Sequence, residues 1–292
     1  MKAIKTNLTF THALTFITML LVAYQTNAQS DQEAVVQSDQ EAIAQKMQNP
    51  LSNISALPIQ NNFLFGASQN DELGYGLSFQ PLHSSSFEKF NIVHRAVFGV
   101  GYTPGITGGL AGLPQGAPDD GEIDGTWGTT DLNYSFFYTP KKANKVAWGI
   151  GPSVNLPTAS DNRLGTGKWS AGLSGVLVFQ TGKWTFDWVM RQTWSFAGNE
   201  NRRDVNQMVL QPLIAYNLGN GWVASTMPSI SANWGFDDGQ KWTIPLGAGF
   251  TKVLFIGKTP MALTAQYYSY AVRPDLAPTS EFRIGTTIVF SK

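Results

Sequence analysis

The chain offers few residues that could do chemistry. It has three histidines, no cysteine and a low share of charged side chains. Nucleophilic catalysis needs a base beside a hydroxyl or thiol. Outside the N-terminal segment the only bases of that kind are His83 and His94. A hydrolase could carry a Ser–His pair on a lipid-facing strand, and His94 falls mid-strand. No serine lies in an elbow motif, however, and an ordinary strand histidine accounts for His94 as well. We therefore expect no catalytic residue and no enzyme. The run Asp119-Asp120-Gly121-Glu122-Ile123-Asp124 could hold Ca²⁺, but it lacks the terminal Glu of an EF-hand loop. A solvated acidic loop is the simpler reading, so no metal is expected. Gly108, Gly109, Gly112 and Gly116 have no following Lys-Ser/Thr and do not make a phosphate cradle. Arg202 and Arg203 could grip lipopolysaccharide phosphates through bidentate bonds from an external loop; the alternative is a solvated charge cluster with Glu200 and Asp204. No cofactor is implied, and the absence of cysteine excludes a disulfide scaffold and a thiolate metal site.

The elements that would position these residues alternate with a period of two. Trp184, Phe186, Trp188, Met190, Gln192, Trp194 and Phe196 share one face, and Thr185, Asp187, Val189, Arg191, Thr193 and Ser195 the other. From Trp222 to Trp234 the pattern repeats, with Val223, Ser225, Met227, Ser229, Ser231 and Asn233 opposite the apolar set. Alternation this long exceeds the usual globular strand of about 5–6 residues and suits a tilted membrane strand. The same reading places about twelve strands near 60–67, 73–81, 88–102, 128–139, 145–156, 169–180, 183–196, 206–218, 221–234, 241–255, 261–272 and 281–291. The expected fold is all-β: a transmembrane antiparallel β-barrel preceded by a short helical segment.

The connections support a barrel over a soluble sandwich. Residues 140–144, Thr181-Gly182, Gly219-Asn220 and 256–260 are short turns, and they alternate with longer loops at 103–127, 157–168, 197–205, 235–240 and 273–280. Outer-membrane barrels have short periplasmic turns and long external loops. The connections at 68–72 and 82–87 are of similar length and do not discriminate. Aromatics cluster at strand ends: Tyr102, Trp127, Trp169, Trp194, Phe196, Trp234 and Trp242 at the long-loop side, and Tyr138, Phe179, Trp184, Tyr216, Trp222, Phe255 and Phe290 at the short-turn side. These would form two interfacial girdles. An Arg facing lipid at the midplane costs about 2–4 kcal/mol. The face carrying Asp187 and Arg191 should therefore line the lumen, with Arg95, Asp131, Asn133, Gln211 and Arg283 also inward. Ser135, Gly149, Gly151, Ser153, Asn155, Gly172 and Ser174 complete a small, polar lining.

The N-terminus sets the compartment. Lys2 and Lys5 precede a nearly apolar run from Ala13 to Tyr24, and Thr26-Asn27-Ala28 offers a cleavage position. This is the layout of a cleaved signal peptide over residues 1–28. Beyond it no apolar stretch approaches the length of a membrane helix. Removing two lysines and no acids leaves a slightly acidic chain, which argues against a nucleic-acid partner. Residues 29–53 form a linker in which Ser30–Gln37 is repeated almost unchanged as Ser38–Gln45. Its composition favours helix, ended at Asn49-Pro50. Having few apolar positions, it reads as a solvated periplasmic segment or as a short amphipathic helix near the barrel mouth. Residues 54–292 would be the barrel.

Several segments resemble a known family: Gln48-Asn49-Pro50, Leu57 to Phe63, Arg163 to Trp169, Trp194 to Gly198, Arg203 to Asn206, Leu210-Gln211-Pro212 and Gly221-Trp222. They resemble the bacterial outer-membrane group catalogued as phenol meta-pathway transport proteins, often labelled "transporter" or, misleadingly, "neuromedin U". The resemblance covers roughly residues 46–292. It implies a barrel that passes small, aromatic or apolar molecules. It transfers no site residues. Two departures stand out: the family's Gly-Leu-Gly-Asp stretch is Gly128-Thr129-Thr130-Asp131 here, and Phe290 is followed by Ser291 and Lys292 rather than ending the chain.

The sequence thus leads to a porin-like channel or passive transporter in the outer membrane of a Gram-negative bacterium. Its expected partners are outer-membrane lipid, lipopolysaccharide, a small solute and the barrel assembly machinery. A closed structural or surface-interaction barrel is the alternative, with a barrel hydrolase third.

Overall fold

The computed structural model describes residues 40–67, 72–104, 125–141, 145–275 and 277–290. The expected signal peptide, most of the repeat and the acidic run 119–124 lie outside the described residues. Residues 40–47 are helical. Twelve antiparallel strands follow: β1 (Ser55–Ala67), β2 (Glu72–Phe79 continued by Leu82–Ser86), β3 (Phe90–Thr103), β4 (Thr126–Thr129 continued by Leu132–Pro140), β5 (Val146–Leu156), β6 (Lys168–Thr181), β7 (Trp184–Gly198), β8 (Asn206–Gly219), β9 (Trp222–Thr226 continued by Ile230–Asn233), β10 (Trp242–Ile256), β11 (Thr259–Val272) and β12 (Ser280–Phe290). Each pairs with its sequence neighbour, and β12 returns to β1 with Ser55 opposite Phe290 and Phe65 opposite Ser280. Closure leaves no open edge, as a membrane-spanning sheet requires.

Alternation decides which way each side chain points. On β7 Thr185, Asp187 and Thr193 are 0%, 4% and 1% exposed, whereas Trp188, Met190 and Trp194 are 40–48% exposed. Leu173, Ile150, Leu246 and Phe250 add to the outer apolar belt. Two polar residues on that outer face are satisfied locally. Gln192 donates to Asn206 Oδ1 at 2.9 Å and accepts from Trp234 Nε1 at 2.9 Å. Lys252 reaches along Trp222 to donate to the turn carbonyl of Asn220, keeping its charge at the interface. Girdle residues meet as pairs, Trp184–Tyr216 at 4.7 Å at the short-turn end and Trp234–Trp242 at 5.5 Å at the other.

The strand boundaries depart from the sequence expectation at three places. β1 begins at Ser55 rather than near residue 60. Leu82–Ser86, expected as a connection, pairs with β3 from Leu82–Arg95 to Ser86–Asn91. Pro81 only interrupts β2, so the connection to β3 shrinks to 87–89 and joins the short turns. Pro228 interrupts β9 likewise. The backbone it frees is taken up from inside: Met227 N–H donates to the Tyr268 hydroxyl and Met227 C=O accepts from Arg283, each at 2.9 Å. The tight turn Gly219-Asn220-Gly221 places all three residues at positive φ, which glycine and asparagine tolerate.

Candidate functional site

Two cavities lie in the lumen among the described residues. The one at the short-turn end has a volume of ≈ 250 Å³ and an apolar wall that includes Leu82, Phe137, Val176, Leu213 and Val253. The one towards the long loops is ≈ 130 Å³ and polar, with Asn62, Ser78, Asn133, Asn155 and Ser231 among its lining. Gln60, Gln80, Arg95, Gln211 and Arg283 line both and form the partition between them.

The apolar chamber is closed below by the N-terminal segment. Ala44 is 2% exposed and packs with Leu213, Ala215, Val223, Val253 and Ala262; Ile43 and Met47 flank it. Leu51, 5% exposed, packs with Val93, Phe137, Val176 and Val178. Burial of two such apolar anchors contributes a few kcal/mol. Three hydrogen bonds orient the segment: Gln45 Nε2 to Gly182 O (2.9 Å), Gln180 Nε2 to Gln45 O (2.8 Å) and Gln48 Nε2 to Asn217 Oδ1 (2.9 Å). Residues 40–51 are thus seated inside the barrel end. Sparse apolar positions suggested a solvated segment or a short amphipathic helix near the barrel mouth; a helix that touches a wall only along one line needs few of them. Opposite Leu51 the wall carries Gly149, where a Cβ would come within 2.9 Å of the leucine.

Cross-lumen bonds build the partition. Arg95 on β3 donates through Nη2 to Gln80 Oε1 on β2 (2.8 Å) and to Gln211 Oε1 on β8 (3.3 Å). Arg191 on β7 donates to Asn133 Oδ1 on β4 at 3.0 Å. Asn133 in turn donates to Asn155 Oδ1 and Ser153 Oγ. Arg283 pairs with Glu281 at 3.0 Å, both about 5% exposed, and lies over the Tyr268 ring at 4.8 Å. The Tyr270 hydroxyl donates to the other Glu281 oxygen at 2.9 Å. Asp187 faces the apolar chamber, 4% exposed, in electrostatic range of Arg95. The sequence missed Glu281, although it lies two residues before Arg283 on the same face. It also missed Gln60 and Gln80 as partition residues.

Of the seven residues named from sequence as inward, Arg95, Asp131, Asn133, Arg191, Gln211 and Arg283 line the polar cavity and Asp187 the apolar one. Asp131 has a different use from the rest. Its Oδ2 accepts from Thr166 N–H (2.8 Å) and Thr166 Oγ1 (2.9 Å), and its Oδ1 from Ala159 N–H (3.1 Å). It ties the 157–167 loop down over the long-loop mouth, where Leu164 is fully buried.

Arg202 departs from its expected role at the outer surface. It is 8% exposed and donates to the carbonyls of Asn162 (2.8 Å) and Gly165 (2.7 Å), clasping the same loop from the side. Burial lowers its guanidinium pKa, and Asp131 and Asp161 partly restore it. Facing inward against neighbouring backbone, it is not placed to grip an external phosphate. Arg203 lies over the Phe236 ring at 4.2 Å. Asp161 chelates Arg163 at 2.7 Å, and the hydrogen bond from that guanidinium holds its carboxyl down at about 2. Lys168 bonds Asp204 at 3.0 Å, which lowers the Asp204 carboxyl as well.

The two histidines lie on the outer face of β2 and β3. His83 Nδ1 meets Ser55 Oγ at 2.8 Å, and His94 Nδ1 meets the Tyr134 hydroxyl at 2.7 Å. The rings stack at 6.5 Å. Each ring meets a hydroxyl and, among the described residues, no carboxylate to orient it, so the arrangement lacks the third member of a triad. Among the described residues no group of three His, Cys, Asp or Glu side chains could hold a metal ion.

No family model matches the chain, and no curated protein matches it. Solved structures do. An outer membrane channel from Pseudomonas putida F1 is similar over 81% of this chain and 94% of that chain, at 15% identity and a TM-score of 0.56. LpxR from Salmonella typhimurium aligns over 81% and 100% at 7% identity and a TM-score of 0.39. The CymD monoaromatic hydrocarbon channel aligns over 86% and 90% at 11% identity and a TM-score of 0.35. The first likeness establishes the fold, a closed twelve-stranded antiparallel barrel. The other two are too distant to carry an argument.

Proposed function

We propose that the chain is exported by its N-terminal signal, assembles in the outer membrane and passes small molecules with an apolar or aromatic body. The observation that carries this reading is the apolar chamber of ≈ 250 Å³ inside a closed barrel, continuous in its lining with a polar vestibule. Burying apolar surface is worth about 25 cal/mol per Å², so such a chamber favours an apolar solute over water. The pore-lining side chains on this reading are Arg95, Asn133, Asp187, Arg191, Gln211 and Arg283. The outer belt of Leu173, Leu246 and Phe250 would meet lipid, and Arg203 remains a candidate for lipopolysaccharide contact. Fluorescent aromatic solutes trapped in liposomes should escape faster when the protein is present. No acceleration across a broad panel would overturn the reading.

A second reading, a closed interaction barrel, is favoured by the cross-lumen Arg95 bonds and the seated N-terminal segment. It would use the 103–127 loop, most of which lies outside the described residues, as its contact. Deleting that loop would then abolish binding to a surface partner without altering permeability.

A further inference from the structure

The apolar chamber is bordered by two buried polar atoms without partners. Asp187 Oδ1 is buried within its wall and has no hydrogen-bond partner, and the same holds for Gln48 Oε1 on the segment that closes it. A buried acceptor left unpaired is costly; the Gln48 amide oxygen accepts only, and so does the Asp187 carboxylate when ionised. The arginines that line the chamber are already engaged, Arg95 with Gln80 and Gln211, Arg283 with Glu281 and Met227. What the chamber lacks is therefore a donor. Glu281 neutralises Arg283 and Arg95 stands against Asp187, so the wall carries no net negative charge to draw a cationic donor such as an ammonium. The remaining wall, from Leu82, Val176, Leu213 and Val253, asks for an apolar body.

We propose that this chamber is a binding site for an apolar molecule carrying one neutral hydroxyl, whose O–H donates to Asp187 Oδ1 or Gln48 Oε1. This deepens the transport reading above and rests on it: the hydroxyl is the handle by which the chamber discriminates among apolar solutes. Asp187 sets specificity from the wall, whereas Gln48 belongs to the closing segment, so a bound hydroxyl would also tie that segment's position to occupancy.

Two molecules of matched size test it: 1-octanol, and methyl heptyl ether, which lacks the donor. Equilibrium dialysis against the full protein in lipid nanodiscs, with empty nanodiscs as blank, should give octanol an affinity about tenfold or more above the ether, one charge-assisted hydrogen bond's worth. Octylamine should bind more weakly than octanol. Gln48→Leu and Asp187→Asn should each narrow the octanol-to-ether ratio while the ether's own affinity holds. The wild-type comparison stands even if a variant fails to fold. Equal binding of octanol and ether, or a ratio unchanged in both variants, overturns the proposal, as does preferential binding of octylamine. Release of trapped fluorescent aromatic solutes from liposomes carrying the same protein reports on the transport reading separately: protein that speeds release but ignores the hydroxyl defeats only this inference, and selective binding without faster release defeats only the transport reading.

Discussion

The two halves of the lumen are built from the same alternating strands and differ in what fills them. Towards the long loops, Asn133, Ser135, Ser153, Asn155 and Arg191 bond to one another, and Asp131 holds a loop over the mouth. Towards the short turns the wall is aliphatic, and Ala44 and Leu51 from the N-terminal segment complete it. The difference lies in how each end closes. The outer half is closed by directional hydrogen bonds within one contiguous wall, so its geometry is specified and hard to rearrange. The inner half is closed by non-directional apolar contacts and three hydrogen bonds to a segment outside the sheet, which can dissociate without breaking a strand pairing.

That contrast can be broken in graded steps. Ala44→Asp would place an unpaired carboxylate among Leu213, Val223 and Val253, a burial costing several kcal/mol. We expect it to expel the segment outright, seen as loss of protease protection around residues 40–51 with the barrel's heat-modified gel mobility intact. Leu51→Ala removes a contact set worth about 2–3 kcal/mol, which should raise the undocked population more than about tenfold. A spin label at Met47 would report it as a new mobile component. Asp131→Ala strips three acceptor bonds from the 157–167 loop and should loosen that loop by about 2 kcal/mol. Hydrogen exchange at Thr166 and Ala159 would speed up while the amides of β7 stay protected. The smallest effect concerns Asp161. Its carboxyl is lowered, so its bond to Arg163 contributes above the ordinary carboxylate range and is lost as pH falls through about 2. An NMR titration of the Arg163 amide should show its main change below pH 4; a midpoint at the usual aspartate value would mean the pair is not formed.

Most of the barrel was legible because one physical rule, period-two alternation with charge kept from lipid, acts on every strand. It placed Asp187 and Arg191 inside and Trp188 and Trp194 outside. Pro81 shows where local reading fails: proline removes one donor, but the pairing of Leu82–Ser86 with β3 carries the strand past it, and only the closed sheet reveals this. The partners of Arg95 were not legible, because the β3-to-β8 approach depends on barrel closure rather than on sequence distance. Nor was Arg202, whose inward course follows the fold of the 157–167 loop beneath it. The seating of Ala44 and Leu51 was hidden for another reason: two anchors on a mostly polar segment give almost no periodic signal.

The measurement that bears most directly on the account is single-channel conductance of the full protein in a planar bilayer, set beside the same chain lacking residues 40–51. A lumen closed at one end by a removable segment predicts small or rare steps in the first and larger, sustained steps in the second. Identical conductance in the two would contradict it, because the N-terminal segment would then not be what closes the path.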